Sequence, residues 1–328
     1  MFTITDERTR VALEIVTAAG EMAREIQASM AVLKTTKPDL SPVTVADYAV
    51  QALAANKLGD HFPGEGLVAE ETSEHLAGAP DVLDAVTEFV AHRIPGARPA
   101  DIIDWIDRGA GSGTEGRTYW VLDPIDGTKG YLRGGQYVVA LALIEAGQVR
   151  LGVLGCPNLG DDCQPAMGRG RLVVAVRGQG AWQGPPDASD TFEPVRTSLQ
   201  TDACQARLLR SYEAGHTNVG QIDALARALQ IETEPVLMDS QAKSAVLAAG
   251  HAEIMLRLLS PDRPDYREKI WDQAAGSIII EEAGGKISDM DGKPLDFRTG
   301  RRLENNRGVV ATNGLLHENV LAALAKIV

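Results

Sequence analysis

Apolar residues recur at helical spacing through positions 8–30, where Val11, Ile15, Ala18, Ala19, Met22 and Ile26 share one face. The pattern predicts a long amphipathic helix. A polar loop over 35–42 with two prolines ends it, and a second helix opens at about 41 and runs to about 58. Leu67-Val68-Ala69 is a short apolar strand ending on Glu70-Glu71. Positions 79–113 form an excursion with a helical pattern over 81–91, then a Gly- and Pro-rich section and a flexible tip at Gly111-Ser112-Gly113.

The run from Trp120 to Leu122 predicts a buried strand that breaks at Pro124 and closes on a turn at Gly127. Stretches 137–145 and 149–156 form a hairpin across Ala146-Gly147, and 172–176 and 180–182 supply further strand. A Pro/Asp/Ser-rich segment over 184–192 divides the chain into an N-terminal lobe, 1–184, and a C-terminal lobe, 185–328. The second half alternates strand and helix: strands at 207–211, 236–238, 253–258 and 309–311, and helices at 221–229, 240–249, 272–282 and 315–327.

Composition narrows the function classes. At 328 residues the chain can bury a large core, and its 44% hydrophobic content is ordinary for a globular enzyme. A net charge of −13 argues against a partner bound through a nucleic-acid backbone. A small anion stays accessible if metal ions and local basic residues reverse the field in one cleft. No run is long enough to span a membrane, no signal-peptide core opens the chain, and Cys156, Cys163 and Cys204 lack paired metal-ligand spacing. The expected setting is the reducing cytoplasm.

The candidate chemistry is carried by carboxylates at the edges of regular elements. Asp123 and Asp126 sit at a strand end with Thr128 two residues on, an arrangement that suits a hard cation such as Mg²⁺; the plain alternative is an acidic turn. Pro124 stiffens that turn, and the Ile125 carbonyl can add an oxygen ligand. Glu70 is delivered by a second strand, Asp272 by a helix start and Asp47 by another. For the last two the plain alternative is helix capping, as it is for Ser240.

Taken together, Asp-Pro-Ile-Asp-Gly-Thr at 123–128 and Trp-Asp-Gln-Ala-Ala-Gly at 271–276 resemble the lithium-sensitive, Mg²⁺-dependent phosphatases of the inositol monophosphatase superfamily. The likeness runs from about 41 to 313. The segments 41–51, 120–134, 155–159, 239–243 and 269–276, with the long excursion before Trp120, look most like the branch acting on 3′(2′),5′-bisphosphate nucleotides. The resemblance implies a layered α-β-α-β-α sandwich with a metal site between two lobes. It implies two to three Mg²⁺ ions on Glu70, Asp123, the Ile125 carbonyl, Asp126 and Asp272, with Asp47 and Thr128 positioning and activating the attacking water.

It further implies that His216, Ser240, Lys243 and Arg257, with Thr128 and Asp272, hold the substrate. That substrate would be adenosine 3′(2′),5′-bisphosphate or its sulfated form, a role in sulfur metabolism. The residues after His216 depart from the branch pattern. A sugar phosphatase acting on an inositol phosphate or fructose bisphosphate is the competing reading. A non-catalytic binding module is a third, set aside because all five acids are present. A monomer is the expected state.

Overall fold

The computed structural model describes residues 6–33, 42–113, 118–187, 192–212, 218–260 and 263–327. Two helices lead, α1 (Glu7–Leu33) and α2 (Pro42–His61). α1 buries the expected stripe of Val11, Ile15, Ala19, Met22 and Ile26. α2 is apolar on nearly all sides, with Tyr48, Val50, Leu53 and Leu58 buried, because it is covered from two directions. On its far side lie α3 (Pro80–Ala91) and α4 (Pro99–Asp107), both from the excursion.

α4 corrects the sequence reading, which has only a Gly- and Pro-rich section after residue 91. Pro99 stands at the helix start, where its missing N–H costs nothing. The Asp101 carboxylate accepts from the Arg98 backbone N–H at 2.9 Å, and Ile102 and Ile106, one turn apart, are buried.

Seven strands form the first sheet in sequence order: β1 (Gly66–Ala69), β2 (Thr118–Asp126), β3 (Val138–Glu145), β4 (Gln148–Cys156), β5 (Arg171–Val176), β6 (Gly180–Gly184) and β7 (Glu193–Val195). β1 runs parallel to β2, and every later neighbour is antiparallel. The β3–β4 turn puts Ala146 and Gly147 at φ 50 and 78, the left-handed pair a two-residue hairpin requires. Trp120, Leu122, Leu141 and Leu143 face the helices α1 to α4, while Val121, Ala140, Ala142 and Leu154 face the other way. β7 escaped the sequence reading because it is three residues long and only Val195 is buried.

After the short helix α5 (Thr128–Arg133), which follows β2 and packs against α2, the remaining elements come from the second half. These are β8 (Leu208–Arg210), α6 (Val219–Ala228), β9 (Val236–Leu237), α7 (Ala242–Ala248), β10 (Ile254–Arg257), α8 (Ala274–Glu282), β11 (Lys286–Ser288), β12 (Val309–Thr312) and α9 (His317–Leu324). The second sheet has the order β11-β12-β10-β8-β9. α7 and α8 are sandwiched between the two sheets, with Val246, Ile278 and Ile279 fully buried in the same core as Val173 and Met255. α6 and α9 cover the outer face through Ile222, Leu225, Val320 and Leu324. The layers therefore run α-β-α-β-α.

The proposed lobe division at 184 lies between β6 and β7, so one strand beyond it still belongs to the first sheet. All three cysteines are free thiols. Among the described residues no helix is long and apolar enough to cross a membrane.

Candidate active site

β2 does not break at Pro124; it bulges. Asp123 stands opposite Ala140 and Asp126 opposite Val138, so three steps on β2 match two on β3. One extra residue in a strand brings positions i and i+3, which normally point to opposite faces, onto the same face. Pro124 fits here because a bulge has no ladder hydrogen bond for it to lose. Both carboxylates consequently face α7, α8 and the second half of the chain. The turn is completed by Gly127 at φ 89, where a Cβ would meet the Ser240 Cβ at 2.7 Å. Only glycine permits that approach.

Glu70 arrives at the end of β1, which lies beside β2. The following residue is fixed by Gln51 of α2, whose amide accepts from the Glu71 N–H at 3.0 Å and donates to the Glu71 carbonyl at 2.8 Å. Asp272 arrives two residues ahead of α8. Glu70, Asp123, Ile125, Asp126, Thr128, Ser240, Lys243, Arg257 and Asp272 all line one cleft. Asp47 is not among the lining residues and is only 5% exposed. His216 lies outside the described residues.

The acids are electrostatically uncomfortable. Burial, then the charges of Glu70, Asp126, Asp272 and Asp47, push the Asp123 carboxyl well above its ordinary range. Burial and the nearby Glu71 and Glu70 do the same to Asp47. Burial and Asp272 raise Asp126 to about 6, although the Gln241 N–H donates to it. Asp272 is also raised to about 6 by burial, against the pull of Arg257. Glu70 reaches about 7 through the protein packed around it and the charges of Asp272, Glu71 and Asp126. Its surface is open to water, so repulsion is the firmer of those causes.

No three acidic, His or Cys side chains among the described residues stand ready as a cation cage. The acids crowd one another, Asp123 lying within electrostatic reach of Glu70, Asp126 and Asp272. The Asp123 Oδ1 and Asp47 Oδ1 are buried with no hydrogen-bond partner. The acids nonetheless converge on one cleft, at side chains that can rotate about their χ angles. A set of hard oxygens with orphaned lone pairs and suppressed ionisation fits a divalent cation.

The opposite wall is basic and paired. Lys243 donates to the Ser211 hydroxyl at 3.1 Å and the Met238 carbonyl at 3.2 Å. Burial draws its ammonium down to about 8. The Arg257 guanidinium lies 3.0 Å from buried Glu268 and 3.4 Å from Asp272. Ser240 sits at φ 64, and its hydroxyl accepts from the Ala242 N–H at 3.2 Å. Three residues here were not singled out from the sequence: Glu268, Gln51 and Gln241. The last joins both halves of the site, its backbone N–H on Asp126 and its side-chain amide donating to the Trp271 carbonyl at 3.0 Å. Its sequence signal was its place beside Ser240 in the 239–243 segment.

With this geometry in view, residues 5–328 match the model of the inositol monophosphatase family. The chain belongs to that family. Among its relatives is a 3′(2′),5′-bisphosphate nucleotidase of Schizosaccharomyces pombe, 41% identical over 89% of this chain and 86% of the relative. A protein of the same name from Oryza sativa is 39% identical over 95% of this chain and 92% of the relative. Solved inositol monophosphatases share the fold. The Anabaena structure aligns at TM-score 0.63 and 22% identity over 97% of this chain and 95% of that one. An inositol monophosphatase structure from Zymomonas mobilis aligns at 0.65 and 19% over 99% and 100%.

Proposed function

We propose that the chain is a Mg²⁺-dependent 3′(2′),5′-bisphosphate nucleotidase. It removes the 3′(2′)-phosphate of adenosine 3′(2′),5′-bisphosphate to give AMP and phosphate, with the 5′-phosphosulfate analogue as a second substrate. The observation that carries this reading is that acids from both halves of the chain line one cleft facing Lys243 and Arg257, in a chain whose relatives carry that name. A location in the cytoplasm and sensitivity to lithium go with the proposal.

Glu70, Asp123, the Ile125 carbonyl, Asp126 and Asp272 would hold the ions. Bound Mg²⁺ supplies charge stabilisation for the phosphoryl oxygens and acidifies a water. The chain's own residues do the rest. Asp47, buried with one oxygen unpaired, has the raised proton affinity a general base needs. Thr128 lines the cleft two residues after Asp126, where its hydroxyl can orient a water. Lys243, with a pKa of about 8, is mostly cationic at neutral pH and faces the phosphate that is not cleaved. Arg257 is committed to Glu268 and Asp272, so it serves that phosphate less freely than the sequence reading supposed.

The deciding experiment is phosphate release from adenosine 3′,5′-bisphosphate, its sulfated form, inositol 1,4-bisphosphate, inositol 1-phosphate and fructose 1,6-bisphosphate, with Mg²⁺ and with chelator. The nucleotide should have the highest kcat/KM. A higher value for an inositol or fructose phosphate would make the chain a sugar phosphatase instead.

A further inference from the structure

Glu70 and Asp272 come from distant stretches of chain, and something must hold the two deliveries in register. The loop at 301–303 is laced to the segment leading into Asp272: the Ile270 N–H donates to the Arg301 carbonyl at 3.2 Å, the Leu303 N–H to the Glu268 carbonyl at 2.9 Å, and Lys269 forms a bridge with Arg302. The Arg301 side chain then crosses to the other half. Its guanidinium donates to the Ala69 carbonyl at 2.6 Å and to the Gly109 and Gly111 carbonyls at 3.1 Å each. Its guanidinium carbon lies over Trp271, 4.8 Å from the ring centroid.

Ala69 immediately precedes Glu70, and Trp271 immediately precedes Asp272. One planar cation thus touches the residue before each acid. The Gly111 segment, read from the sequence as a flexible tip, is tied in by the same group. Space there is minimal, since a Cβ on Gly111 would meet the Leu67 carbonyl oxygen at 2.5 Å.

We propose that Arg301 is a positioning residue that sets the separation of Glu70 and Asp272 and thereby the affinity of the site for divalent cations. The inference rests on the metal-site reading above. Arginine is required because a planar fork can stack on the indole while its edge serves several carbonyls; a lysine ammonium offers a point charge on a flexible stem. Groups that orient ligands from outside are worth about 10–100-fold in metal affinity.

The test is Mn²⁺ binding, followed by electron paramagnetic resonance below the unfolding temperature, for the wild type, Arg301→Gln and Arg301→Lys. Asn306→Ala, which breaks the side-chain bonds to Asp289 and Pro294 and leaves the Arg301 side chain in place, serves as a control for lost stability. The Kd should rise by about tenfold or more in both Arg301 variants and stay at the wild-type value in Asn306→Ala. The lysine variant guards against misfolding of the glutamine one. Wild-type affinity in either folded Arg301 variant overturns the proposal, as does an equal loss in Asn306→Ala. Absence of Mn²⁺ binding by the wild type is a separate result and removes the metal-site reading itself.

Discussion

Asp289-Met290-Asp291-Gly292 and Asp123-Pro124-Ile125-Asp126-Gly127 read much alike. Each places an aspartate at a strand end, a second acid after it, and then glycine. Both leading aspartates are buried, Asp289 at 0% exposed and Asp123 at 2%. Their surroundings differ completely. One Asp289 oxygen accepts from the Asp291 and Lys293 N–H groups at 2.9 and 2.8 Å, and the other from Asn306 Nδ2 at 3.2 Å and the Arg307 N–H at 3.4 Å. Asp123 has one oxygen with no partner and other carboxyls as neighbours. A buried acid whose lone pairs are filled by amides holds a loop together, whereas a buried acid left open among its own kind is the one to test for a binding role.

The sharpest way to break that contrast is to neutralise each aspartate in turn. Asp123→Asn should lower kcat by a factor of about 10³ or more, roughly 4 kcal/mol. The metal-free Tm of the same variant should hold or rise, because a repelled charge has been removed. Retention of more than about a tenth of kcat would count against a ligand role.

Asp289→Ala should do the reverse. It strands several amide donors and should destabilise the fold by on the order of 3 kcal/mol, lowering Tm by several degrees. Its kcat well below Tm should stay within about twofold of wild type. A collapse of kcat with Tm unmoved would erase the distinction.

Mg²⁺ sharpens the comparison further. At about one hundred times Kd, a ligand bound only by the folded state adds about 2.7 kcal/mol. Differential scanning calorimetry should show that gain in wild type and Asp289→Ala, and little of it in Asp123→Asn.

The smallest expected effect is on pH dependence. Glu70, at about 7, and Asp126 and Asp272, at about 6, hold protons in the fold that an unfolded chain releases near pH 4. Their contribution favours folding at low pH and is lost as pH rises through about 6 to 7. His317 works oppositely: burial lowers it to about 4, so the unfolded chain takes up a proton first and stability falls below about pH 6.5. Urea unfolding at about pH 5 and about pH 7.5, with chelator and with saturating Mg²⁺, separates the two, since only the acid cluster answers to the metal. Chelated protein should lose more stability on going to the higher pH, and equal losses would contradict the repulsion.

Much of this was legible in the sequence because the helix periods, the hairpin at Ala146-Gly147 and the acids at element edges are local signals. What stayed hidden was tertiary. The bulge that turns Asp123 and Asp126 to one face is set by pairing with Ala140 and Val138, which no run of residues announces. α4 was obscured by the Gly- and Pro-rich stretch around Pro99, which in fact begins it. Arg257 reads as a free cation until buried Glu268 is found beside it. Arg301 looks like surface charge until the Ala69 carbonyl and Trp271 are brought to it from far along the chain.

The order of the strands bears on how the molecule is made. From β2 onward the first sheet is a meander, the whole sheet is complete by Val195, and α1 and α2, which cover one of its faces, are synthesised first. Its other face waits for α7 and α8. A nascent chain that has just completed β7 therefore exposes Val121, Ala140, Ala142, Leu154 and Val173 beside Asp123 and Asp126, greasy and acidic surface together. That face is covered only once residues 242–282, α7 and α8, have been made.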